Sequence, residues 1–231
     1  METVKVEFTG NVSLNIHPEI GDDIFLDEKN ITSRLWELAG AFDGSDLTVT
    51  FEITETVWGA VPAFVLTVNH KVLLEKPMIR KILLVSEDSN VEGSAHLSIM
   101  ENVEFYLRKD YRGQGIGREC FAVEVAAAHD LGFAKILANA ASRPKDGWIV
   151  WPKLGYDAVI EQDIYEKIMS RSDAPTSLPP LGVARISDLW EQNLFALWDE
   201  HGTGCIMEFD CSSRQSWSMR RLLESKKGIG E

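Results

Sequence analysis

Arg112-Gly113-Gln114-Gly115-Ile116-Gly117 sets an arginine and three glycines between a basic, extended lead-in and a long helical run. Such a junction suits an anion. The first N–H groups of a helix lack intrahelical partners and sit at its positive end. Glycine lets a ligand approach that backbone closely. Arg108, Lys109, Arg112 and Arg118 gather positive charge here, in a chain of formal net charge −13, so the cluster is no general trend of composition. Spacing then chooses among anion loops. A P-loop carries lysine after its last glycine, in G-x-x-x-x-G-K-[ST], and none follows here. A dinucleotide loop, G-x-G-x-x-G/A, would have Arg118 or Cys120 at its third glycine, with no acidic residue near Ala138 for a ribose. The stretch itself reads R-x-x-G-x-G, either an anion cradle or a plain strand-to-helix turn with solvated arginines. The histidines are scattered without metal-ligand spacing, and no G-x-S-x-G is present for a serine hydrolase.

The loop depends on the elements around it. Residues 1–26 alternate weakly and predict a short hairpin about Gly10-Asn11; Thr32 to Phe42 read as a helix stopped by Asp43-Gly44. Strands follow at 47–54, 63–75, 79–87 and, as the last extended segment, 94–109, so four or five strands precede the glycines. From Ile116 the period becomes helical, with Ile116, Cys120, Val123, Ala127 and Leu131 on one face and Gly132 as the C-cap. Cys120 on that face reads as a small packing residue. Residues 134–140 are a short apolar strand. Ser170 to Leu181 is a Pro- and Ser-rich connector, and beyond it lie a helix at 186–202, a strand at 205–209 and a basic terminal helix. Trp190 and Trp198, eight apart, read as one buried stripe on the first of these.

"YRGQGIG" resembles the pyrophosphate loop of the GNAT superfamily of N-acetyltransferases. "FYLRKDYRGQGIG" is similar to that family's strand-turn-loop pattern, and "WPKLGYDA", about 40 residues on, resembles its closing aromatic-x-K-x-G-F motif. The likeness spans residues 100–158. It implies an α/β protein with a GNAT-like mixed, mostly antiparallel sheet flanked by helices, ending in a C-terminal helical extension. The division it suggests is an acyl-CoA-binding domain at 1–169, a connector at 170–181 and a helix-strand-helix extension at 182–231 packed on the same domain.

The resemblance also implies a cofactor and a reaction. Acetyl-CoA or another acyl-CoA would be the co-substrate, its pyrophosphate on the amides of Arg112, Gly113, Gln114, Gly115, Ile116 and Gly117, with Arg118 adding charge. Backbone groups of Leu107 and Lys109 would meet the pantetheine arm, and Asn139 is the candidate for the asparagine that often contacts the cofactor. The thioester would lie where the strand ending at Lys109 splays from that at 136–139. The acyl group would pass to an amine of a small molecule or peptide. The family's usual acid, a tyrosine, is replaced by Trp151, whose indole N–H donates a hydrogen bond but is no practical acid. Tyr156, at the motif's last aromatic position, reads as a packing residue. Glu101 and Glu104 are the candidate general bases; three apart in a regular strand, they would face opposite sides of the sheet. Two rivals stand beside this reading: a GNAT-fold binding or regulatory module without catalysis, and an acyltransferase that uses a hydroxyl acceptor or another acyl donor.

Composition narrows the rest. At 45% apolar and 26% charged residues the chain is an ordinary globular one. Its acidity argues against a nucleic-acid partner and suits a cationic one. Three cysteines without a C-x-x-C pair, no apolar run of membrane length and an N-terminus unlike a secretion signal predict a cytoplasmic protein. Oligomeric state leaves no mark in the sequence.

Overall fold

The computed structural model describes residues 6–17, 20, 31–56, 59–85, 96–171 and 174–227. It is an α/β protein in which seven strands, in chain order, make a mixed, mostly antiparallel open sheet, with seven α-helices among the described residues. The chain forms two compact units, 1–136 and 137–231.

The first unit opens with β1 (Ser13–Ile16), a one-turn helix α1 (Leu35–Leu38) entered through a 3-10 turn, and β2 (Asp46–Thr56). β1 pairs parallel to β2, Ser13 facing Asp46. The hairpin expected about Gly10-Asn11 does not form in the described residues. Backbone donors and acceptors of this segment go instead to residues 43–45, through Asp43 N–H to Glu7 C=O, Gly44 N–H to Asn11 C=O and Ser13 N–H to Ser45 C=O. Parallel pairing then follows from the long connection through α1. That helix is shorter than its apolar pattern predicts. Gly40 turns left-handed at φ 61°, and a Cβ there would lie 2.6 Å from Cys120 Sγ.

β2, β3 (Gly59–Asn69), β4 (Met78–Val85) and β5 (His96–Glu104) form an antiparallel meander. One face carries Leu47, Val49, Phe64, Leu66, Val68, Met78, Ile82 and Met100, all buried. Period-two alternation of apolar residues accounts for that face. A 3-10 turn at Lys109–Tyr111 leads through the glycines into α2 (Ile116–Asp130), which Gly132 ends at φ 83°. The buried side of α2 holds Ile116, Cys120 and Ala127 as expected, with Phe121, Glu124, Val125 and Ala128 in place of Val123 and Leu131.

β6 (Lys135–Asn139) spans the boundary of the units. The second unit continues with α3 (Gly147–Lys153), α4 (Gln162–Met169), α5 (Ile186–Glu191), α6 (Phe195–His201), β7 (Ile206–Asp210) and α7 (Trp217–Lys227). The helix expected over 186–202 is two. Asn193 takes φ 59°, and Leu194 N–H closes back on Leu189 C=O, a left-handed C-cap that breaks the run. The tryptophan stripe therefore divides. Trp198 is buried and donates its Nε1–H to Trp148 C=O at 2.8 Å, whereas Trp190 lies half-buried between Phe195 and the Arg221 guanidinium. In the closing motif Tyr156 is fully buried against Trp151 and Phe209, as its position predicts.

Candidate functional site

A bulge in β5 prepares the glycine loop. Glu101 pairs with Lys81 and Asn102 with Arg80, but Glu104 pairs with Ile79, which leaves Val103 as the extra residue. Ile79 and Lys81 are two apart on β4 and share a face, so Glu101 and Glu104 share it too. The opposite-face expectation for this pair holds only for a regular strand, and the bulge removes it. Glu104 is engaged there by Lys76, 2.9 Å away, whose ammonium also lies 4.2 Å over the Tyr106 ring. The hydrogen bond to Glu104 is the main reason Lys76 is held above the ordinary lysine range. Lys81, opposite Glu101, is bound to Thr54 and Glu52.

Past the bulge the chain runs beside residues 73–75. Leu107 bridges Leu74, flanked by Glu75 N–H to Tyr106 C=O and Arg108 N–H to Leu73 C=O, both at 2.9 Å. In that pattern the N–H and C=O of Leu107 point to the opposite edge. The carbonyl there accepts Arg112 Nε–H at 2.8 Å, while Arg112 Nη2 reaches Glu75 at 2.7 Å. Arg112 thus folds back over the strand end and anchors the loop. Lys109 lies in the 3-10 turn, its carbonyl accepting Arg112 N–H.

From Arg112 the backbone is extended, Gly113 is left-handed at φ 75° and Gly115, the residue before α2, at φ 80°. Both conformations favour glycine. Gln114 tethers the loop by donating to Asp110 C=O at 2.7 Å. No side chain caps α2, and the N–H groups of Gly113 to Gly117 meet no acceptor among the described residues. A Cβ built on Gly113 would meet nothing within 4 Å, so its backbone is open to approach. Arg118, three-quarters or more shielded, lies in the first helical turn. Successive N–H groups, alternating glycine conformations and clear space suit a diphosphate.

Beneath the loop lies a buried polar group that sequence reasoning missed. Arg80 of β4 and Glu124 of α2 are 1% and 0% exposed and meet at 3.1 Å. Arg80 Nη1 also donates to the carbonyls of Ile79 (3.2 Å) and Glu104 (3.1 Å), and the guanidinium lies 5.6 Å from the Phe105 ring. Burial pushes the Glu124 carboxyl up, opposed by the Arg80 charge. A signal was available. Met78, Arg80 and Ile82 alternate on one face, and Glu124 stands four residues beyond Cys120, so each is a charge inside an otherwise apolar period.

Burial likewise pushes the Cys120 thiol up to about 12, and burial with the Glu161 and Asp157 charges raises Cys205 to about 11. No disulfide joins the three cysteines, and Cys211 is buried. Because thiolate is the reactive form, Ellman's reagent at mildly alkaline pH is expected to label well under one thiol per native chain rapidly, and all three after unfolding. Rapid labelling of every thiol in the native protein would contradict this packing.

The second unit contains Asn139, exposed at the end of β6, and Trp151. The loop constellation is built wholly within the first unit. A pocket of about 450 Å3 in the second is lined by residues including Asp157, Arg185, Cys205 and Glu208. There Arg185 ties Asp157 (2.7 Å) to Glu208 (2.9 Å), and Ser187 completes the shell of Asp157, so these carboxylates are occupied in holding α5 to the strands. No helix among the described residues is long and apolar enough to cross a membrane. No family model, curated protein or solved structure matches the chain.

Proposed function

We propose that the protein binds acetyl-CoA or another acyl-CoA on the loop Arg112 to Gly117 and transfers the acyl group to an amine, in the manner of a GNAT-like N-acyltransferase. One observation carries this reading: among the described residues the N–H groups of Gly113 to Gly117 meet no acceptor and no side chain caps the 15-residue helix, with open space over Gly113. These groups would hold the pyrophosphate, and Arg118 would add charge from the first turn. Leu107 N–H, directed to the edge opposite Leu74, would serve the pantetheine arm; its carbonyl is committed to Arg112. The thioester supplies an activated acyl carbon. The chain's part is to orient it and to remove the amine proton.

For that proton, the bulge puts Glu101 and Glu104 on one face. Glu101 is the better base, because Glu104 is held by Lys76. Proximity and backbone donors would carry the rest, with water relaying the proton to the leaving thiolate. A reducing, cytoplasmic setting is part of the same proposal.

One feature favours a binding module instead: Trp151, at the position of the family's usual acid, packs its ring on buried Tyr156. Thiol release from acetyl-CoA with a panel of primary amines, polyamines and lysine peptides separates the two. Amine-dependent release that falls in Glu101→Gln supports transfer, whereas saturable binding with no release on any acceptor supports the module.

A further inference from the structure

We propose that Arg80 is a positioning residue for the glycine loop, acting through Phe105 on Gly117, and that the buried Arg80–Glu124 pair fixes the start of α2 for a diphosphate. This inference rests on the coenzyme A reading above. A buried ion pair gives a weak return in stability, since desolvation offsets its attraction and apolar side chains of similar volume hold two elements together as well. Its charge is no aid to an anion either, because Glu124 cancels Arg80 at 3.1 Å. What the guanidinium adds is geometry. Nη1 holds the carbonyls of Ile79 and Glu104, the pair that closes the bulge.

The bulge turns Phe105 to the α2 side of the sheet, where the guanidinium lies 5.6 Å from its ring. On that side a Cβ at Gly117 would be 3.0 Å from Phe105 Cε1, so helix and ring are in close contact at the last residue of the Gly113–Gly117 loop. Nε meanwhile grips Glu124, seven residues further along the same helix. One side chain therefore fixes the strand end, the ring under the loop and the helix that follows. Hydrogen bonds to a diphosphate tolerate only a few tenths of an ångström, so loosening this support should cost affinity before it costs the fold.

The test compares full-length wild type with Arg80→Met/Glu124→Met, which removes both charges together and nearly conserves volume. Phe105→Leu, which keeps the ion pair and removes the ring, is the second variant. Coenzyme A is titrated calorimetrically at a temperature where circular dichroism shows each protein fully folded. Both variants are expected to bind at least about tenfold more weakly than wild type, with the double variant melting within a few degrees of it. Wild-type affinity in a folded double variant, or in Phe105→Leu should the double variant not fold, would overturn the positioning role and leave the loop reading intact. Absence of binding by wild type itself would overturn both.

Discussion

Gly115→Asp is expected to weaken coenzyme A binding by about a hundredfold or more while leaving the protein folded. Gly115 holds φ 80° immediately before α2. Aspartate enters that region at a cost of about 1 kcal/mol. Its carboxylate then stands beside free N–H groups that it is well suited to cap, which offsets much of that strain. The same carboxylate occupies the anion's place and repels it. A lost helix-start interaction and a new like charge together amount to about 3 kcal/mol, or roughly a hundredfold in affinity. Gly115→Ala carries the strain without the charge and should lose far less. Calorimetry on both variants, with melting curves alongside, separates a blocked site from a damaged fold. Undiminished binding by the folded aspartate variant would remove the loop from the site.

The largest effect on stability is expected in the second unit. Gly155 of the closing motif has φ 105°, and a Cβ there would lie 2.4 Å from Ser218 C=O and 2.9 Å from Phe209 Cε2. Neither neighbour has room to retreat. The first is helical backbone, and the Phe209 ring already packs on buried Tyr156. Gly155→Ala should therefore destabilise by about 3 kcal/mol or more, combining backbone strain with overpacking. For a chain of this size that is a fall in Tm of roughly 10 °C. A variant melting within about 2 °C of wild type would show that α7 does not sit against the motif as described.

The shape of the glycine loop was legible because it is a property of the backbone. Left-handed glycines and a helix start are written in local sequence, and Gly113, Gly115 and the onset of α2 fall where the spacing puts them. The apolar strands were legible for the same reason, each reporting its own buried face. What could not be read was register. A single extra residue, Val103, reverses the faces of everything after it, and no local pattern distinguishes a bulged strand from a regular one. That is why Glu101 and Glu104 come to share a face and why Phe105 lies under α2. The break at Asn193 was hidden differently. The apolar period continues across it, and only the cap hydrogen bond, a matter of geometry, ends the helix. Arg80 and Glu124 make sense as a pair, and pairing across 44 residues is invisible to any window.

Binding of coenzyme A on the glycine loop is tested most directly by a map of backbone amide resonances as the ligand is added to the isotopically labelled full-length protein. Saturable shifts are expected, largest at Gly113, Gln114, Gly115, Ile116 and Gly117 and absent in Gly115→Asp. Unmoved loop amides at saturating coenzyme A, or binding confined to residues 137–231, would contradict it.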